Sequence, residues 1–223
     1  MAPGNDEHRM GIRDEVAALK RARIIAAAVE LFYENGYENT TLDAVAERLG
    51  VTKPFIYAHF HSKSELLAEI CSRGIAASLD AMNGVIPMQA SPTEKIQALG
   101  RRFVTAVLES QMHIAIFSRE EKNLSPEDFI RINDMRRDFD KKLTALLREG
   151  SESGEFSLND AHITALSIGG MVSWAYVWFR PTGRLSVEQI AAEMSCLILQ
   201  MVNAKTPRSR SRRKAQASPS REG

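Results

Sequence analysis

Cysteine, histidine and aromatic side chains are scarce in this sequence. Two cysteines in 223 residues argue against a disulfide framework or a thiolate metal cluster. Cys71 and Cys196 fall on separate predicted helices and read as small buried hydrophobes in a reducing compartment. The five histidines offer no ligand set. His59 and His61 stand at i, i+2, which does not place them on one helix face, and no carboxylate or thiol cluster lies at ligand spacing. No Gly-x-Ser-x-Gly elbow and no glycine-rich phosphate loop occurs, so no enzyme activity, metal or cofactor is expected. No apolar run approaches the roughly 18–20 residues that cross a membrane, and MAPGNDEHRM lacks the apolar core of a signal peptide. Convincing strand patterns and internal repeats are also missing. These absences leave an all-α, cytoplasmic protein without a membrane segment.

Charge of one sign is nearly lacking too, because the net charge is only +1. It is unevenly placed. Residues 203–223 hold Lys205, Arg208, Arg210, Arg212, Arg213, Lys214 and Arg221 against Glu222, so the end of the chain is basic and the body mildly acidic. The tail from 204 onward has almost no apolar side chains and is expected to be disordered. It would neutralise phosphates without any fold. Residues 1–13 are polar, contain Pro3, Gly4 and Gly11, and are also expected to be disordered. Between these ends the pattern predicts nine helices, three in a head over 14–61 and six in a larger bundle over 62–203. Helix starts are marked by Ser62, Ser91, Ser125, Ser157 and Ser186, with acidic or amide residues three positions on or proline at the first helical position.

The most informative stretch is TTLDAVAERLGVTKPFIYAHFHSK, residues 40–63. Leu42, Val45, Ala46 and Leu49 recur at i, i+3, i+4, i+7, the apolar stripe of a short helix. Thr40 is placed to cap it, with Asp43 completing a capping box. Gly50 ends it in the left-handed conformation that glycine adopts cheaply. Thr52 is placed to cap a second short helix with Pro54 in its first turn, where the missing N–H costs nothing. Ile56 and Phe60 face inward; Lys53, Tyr57 and His59 face outward. Two short helices joined by such a turn predict a helix-turn-helix, the second helix entering a DNA major groove. Thr52, Lys53 and Pro54 then stand at the end that reaches base edges. Thr41, Tyr57 and His59 are placed for phosphates. Lys63 stands at the next helix N-terminus, which also favours phosphate.

GVTKPFIYAHFHSKSELL and the upstream LFYENGYENTTLDAVAERLG resemble the signature of the TetR family of regulators. The likeness covers about residues 20–70. It implies a three-helix DNA-binding head, a helical ligand-binding and dimerisation body, and contacts to double-stranded DNA from the same seven residues. Pro54 departs from the pattern, where glycine or a small residue is commoner, so base preference does not transfer.

A second stretch, SWAYVWFRPTGRLS at 173–186, carries Trp174 and Trp178 four residues apart. They can form bundle core, a dimer interface or the wall of a ligand pocket. Together with IFSREEKNLSPEDFIRINDMRRDFDKKLTALLREGSESGEFS, this stretch resembles the TetR branch that senses acyl-CoA thioesters of lipid or sterol catabolism. The resemblance implies an apolar tunnel opening beside basic groups. Phe103, Phe117, Phe139, Met171, Trp174 and Trp178 are the available large apolar side chains, and Arg119, Arg136, Arg137 and Arg180 the cations for a polyanion. The charge run Ser118–Lys122 reads as a solvated helix end. The sequence therefore predicts a homodimeric repressor that binds an inverted-repeat operator and is released by a small molecule. A drug or aromatic effector, and a helical enzyme or adaptor without DNA binding, are the alternatives.

Overall fold

The computed structural model describes the backbone of residues 4–204 and the side chains of residues 14–204; the basic tail from 205 lies outside the described residues. The described residues form helices α1 (Gly4–Asn35), α2 (Leu42–Leu49), α3 (Lys53–Tyr57), α4 (Lys63–Asn83), α5 (Pro92–Glu109), α6 (Gln111–Glu120), α7 (Pro126–Glu152), α8 (Ala161–Ser173), α9 (Ala175–Trp178) and α10 (Val187–Met201). A short 3₁₀ turn, Glu121–Asn123, joins α6 to the segment before α7. With α9 taken as the interrupted end of α8, these are the nine α-helices that the periodicity predicts among the described residues. No described helix is long and apolar enough to cross a membrane.

Several starts follow the local recipe. Ser91 and Glu94 form a full capping box, as do Ser186 and Gln189. Ser62 and Ser125 accept from the N–H three residues on. Other boundaries differ from the sequence reading. Helix α1 begins at Gly4, not near Asp14, and so runs through most of the segment expected to be disordered. No proline follows Pro3 there, and nothing else in the segment stops a helix. Thr40 does not cap α2. It is buried and donates to the carbonyls of Leu31 and Gly36, while Thr41 caps by accepting from Ala44 N–H. Helix α8 starts after Asp160, not at Ser157, because Phe156 is buried against Gly150 and Ser157 N–H is bonded to the Val202 carbonyl. Helix α8 also stops at Ser173, well before Pro181.

Two apolar cores result. The body core is built from α4, α5, α7, α8 and α10. Gly100 lets α5 lie against Ser195 of α10, whose hydroxyl donates to the Gln97 carbonyl at 2.9 Å. The head core joins Ile24, Ala28 and Phe32 of α1 to Leu42, Val45, Ile56 and Phe60. It is not closed by the head alone. Leu66, Leu67 and Ile70 of α4, Ile116 and Phe117 of α6, Leu124 just after the 3₁₀ turn and Ile132 of α7 complete it, and Ile75 packs against both cores.

Candidate nucleic-acid interface and effector cavity

The head presents α3 by its buried residue, Ile56, and by Phe60 just beyond, both fully buried. Gly50 takes φ +65°, and its N–H and the next close the turn onto α2 carbonyls. The N-terminal end of α3 is then left to solvent. Thr52, Lys53 and Pro54 are exposed, and the Thr52 hydroxyl makes no capping bond. Lys53 Nζ lies 2.6 Å from an Asp43 carboxylate oxygen, and that bond and charge hold its pKa above the usual lysine value. Tyr57 and Thr41 are exposed as well. His59 is half-buried, with its ring edge-on to Phe55 at 5.3 Å. Its carbonyl accepts from Arg21, which also stacks on Phe60 and lies beside Glu65 and Glu69. Arg21 thus ties α1 to the end of the reading helix and to α4.

Lys63 is placed differently from the sequence expectation of a free phosphate ligand. Its Nζ donates to the carbonyls of Tyr37 (2.8 Å) and Glu38 (3.3 Å) and sits 4.2 Å from the centre of the Tyr37 ring.

In the body, α4, α5, α6, α7 and α8 enclose a cavity of ≈ 300 Å³. Of the candidate ligand residues it brings together Phe103, Phe139 and Arg136. The two phenylalanine rings touch, with centroids 4.6 Å apart. Ile75, Val107, Ile114 and Leu166 supply further apolar wall, and Gly169 and Gly170 keep the α8 side open. Arg136 is exposed at the edge of this cavity, with its guanidinium 4.3 Å from the Phe117 ring centre. Phe117 itself belongs to the head core and lines a small neighbouring cavity that also touches Arg136. Sequence reasoning missed Asp140, which lines the main cavity one turn after Arg136. Burial raises its pKa above the usual carboxylate value, against the pull of His162 and Arg136. Its i, i+4 spacing from Arg136 was the available signal.

The remaining candidates lie elsewhere. Met171 packs on the body core without lining the cavity. Trp174 and Trp178 do not wall the cavity: they are 62% and 46% exposed, because the chain breaks at Trp174 and turns the two rings outward. Trp174, Arg119 and Arg180 line an outer groove of ≈ 580 Å³ with Tyr33 and Tyr176. Arg119 donates to the Tyr33 carbonyl and Arg180 to those of Val177 and Phe179. Cys71 is buried and its thiol is pushed up to about 12, whereas Cys196 is exposed on α10, contrary to the expected burial. Among the described residues no group of His, Cys, Asp or Glu could hold a metal ion.

Residues 24–70 match the family model for bacterial regulatory proteins of the tetR family, and residues 89–202 that for the tetracyclin repressor-like C-terminal domain. The chain belongs to the TetR family. It is 27% identical over 184 residues to the HTH-type transcriptional repressor KstR2 of Mycobacterium tuberculosis, covering 81% of this chain and 91% of that one. The crystal structure of the TetR-family regulator PfmR from Thermus thermophilus superposes with a TM-score of 0.73 at 30% identity, covering 80% of this chain and 97% of that one. AibR in complex with isovaleryl coenzyme A and operator DNA gives a TM-score of 0.70 at 26% identity, covering 83% and 100%. The TetR arrangement of a DNA-binding head on a helical body is the fold found here.

Proposed function

We propose that this TetR-family chain is a homodimeric repressor that leaves an inverted-repeat operator when an acyl-coenzyme A thioester occupies its body. The observation that supports this best is the composition of the cavity wall. Gly74, Ile75 and Ser78 belong to α4, a single helix that also carries Leu66, Leu67 and Ile70 of the head core. A ligand pressing on α4 therefore acts on the element that seats the head. Any ligand that binds two orientations of α4 unequally shifts their populations. The cavity volume lies at the low end of the range for ligand sites, about 300–1,000 Å³. It suits an acyl group but not a whole thioester, so the nucleotide lies outside, where the exposed Arg136 guanidinium can meet a phosphate. The structure of AibR in complex with isovaleryl coenzyme A and operator DNA, a protein of the same fold, supports this reading.

On DNA, Thr52, Lys53 and Pro54 address base edges, while Thr41, Tyr57 and His59 face phosphates. The two copies join through the outward apolar side chains Ile163, Leu166, Trp174, Trp178, Leu197 and Met201 of α8, α9 and α10, all exposed in the single chain. The test is release of labelled DNA from upstream of the gene by a panel of CoA thioesters, free acids and cationic drugs. Thioesters of short and medium acyl chains should release it, and the free acids should not. A cationic drug is the second reading, favoured by the Asp140 carboxyl in the cavity wall. Release by cationic drugs alone would replace the first reading with the second.

A further inference from the structure

Helix α6 carries cavity residue Ile114 and ends at Glu120, less than two turns further on. Read as a charge run, Glu120 would be a solvated helix end; the structure places it against the head. One carboxylate oxygen accepts from Tyr37 N–H at 3.3 Å, and the other from the Asn123 side-chain amide at 2.9 Å. Glu120 Oε1 is also the nearest atom to the open side of Gly36, which holds φ +79° at the end of α1. A side chain there would be strained by the backbone angle, although its Cβ would make only ordinary contact with that oxygen at 3.7 Å.

The Tyr37 peptide is gripped from both sides. Its N–H goes to Glu120 of the body. Its carbonyl accepts from Lys63 Nζ at 2.8 Å and from Thr40 N–H at 3.2 Å. Thr40 in turn ties the turn to Leu31 and Gly36, and Thr41 caps α2. The Tyr37 ring is edge-on to Phe32 at 5.5 Å beneath the Lys63 ammonium. Arg119 adds a second tie, to the Tyr33 carbonyl at 3.2 Å. The turn that sets where α2 begins, and with it the seat of α3, is thus held by a carboxylate from the effector body.

We infer that Glu120 is a positioning residue for the DNA-reading helices, the point at which a displacement of α6 beside the cavity is passed to the turn before α2. A helix is stiff over this length, about 9 Å from Ile114 to Glu120 at 1.5 Å per residue, so a shift at the cavity wall appears at the carboxylate. Among the described residues Tyr37 N–H bonds only to Glu120, so losing the carboxylate removes the tie of this turn to α6. The coupling arm of this inference rests on the effector reading above; the anchoring arm does not.

Two variants of the full chain test it. Glu120→Gln keeps an oxygen for Tyr37 N–H, and Glu120→Ala does not. Binding of CoA thioesters to the DNA-free protein should be unchanged in both, because Glu120 does not line the cavity. The thioester-dependent fall in operator affinity should shrink about fivefold or more in Glu120→Ala, the lower end of ordinary coupling strengths, and recover in Glu120→Gln. Amide exchange at Tyr37 should quicken about tenfold or more in Glu120→Ala and stay near wild type in Glu120→Gln. A panel in which no thioester releases the wild type sinks the effector reading and leaves exchange to decide the anchor. Wild-type exchange at Tyr37 in Glu120→Ala overturns the inference, as does wild-type coupling in that variant.

Discussion

Two lysines of the head show how surroundings divide residues of the same type. Lys53 is exposed and has one partner, Asp43, on the solvent side. Exposed pairs of this kind contribute little because water screens them, so a base edge can recruit the ammonium readily. Lys63 is tied to two backbone carbonyls and a ring. Lys53→Ala should therefore lose on the order of 1–3 kcal/mol of specific operator binding with unchanged melting temperature. Competition binding with the operator and a scrambled duplex measures it, and equal losses on both duplexes would mean that Lys53 reads only backbone. The outward position of Lys53 was legible from the periodicity of Ile56 and Phe60. The role of Lys63 was not, because its partners lie 25 and 26 residues earlier in the chain and only the folded turn brings them within reach.

Helix boundaries divide in the same way. Ser62, Ser91, Ser125 and Ser186 cap through bonds to their own next turn, so their signal is local and readable. Thr40 and Ser157 satisfy the same pattern but are claimed by distant carbonyls or by the pull of a buried neighbour. The α7–α8 corner shows the energetic reason. Gly150 is where Phe156 folds back, and a Cβ there would stand 2.0 Å from the Phe156 ring. Neither the backbone of α7 nor a buried aromatic yields easily, so Gly150→Ala should destabilise the body by about 1–3 kcal/mol, the usual cost of overpacking. Denaturant midpoints of the variant and of Gly150→Ala with Phe156→Leu would show it: the second change should restore part of the loss, and failure to do so would place the strain elsewhere. The tryptophan pair belongs with these cases. Spacing put Trp174 and Trp178 on one face, but Trp174 stands at the α8–α9 junction and Trp178 ends α9, and the two line different outer grooves.

At the scale of the molecule, Ile163, Leu166, Trp174, Val177, Trp178, Leu197 and Met201, all between α8 and the end of α10, are exposed in the single chain, and an apolar surface of this kind marks an interaction site. Sedimentation at micromolar concentration should give a dimer, and Leu197→Glu should give monomers that no longer bind the operator. Cys196 supplies a chemical check on the same face. In native protein Cys71 should stay silent towards a thiol reagent, because burial keeps it protonated, while Cys196 should react faster in the Leu197→Glu monomer than in the wild type. Equal rates would put the interface elsewhere.

The incomplete head core has a consequence for how such proteins can be recombined. Ile116, Phe117, Leu124 and Ile132 come from the body yet belong to the same buried core as Ile24, Phe32 and Ile56. A chimera cut at the boundary the sequence suggests, joining residues 1–61 to a foreign partner, would expose that core. A graft that carries α4, α6 and the start of α7 along with the reading helices keeps it covered. In this chain the unit of inheritance that can be exchanged without repair is therefore larger than the unit that touches DNA.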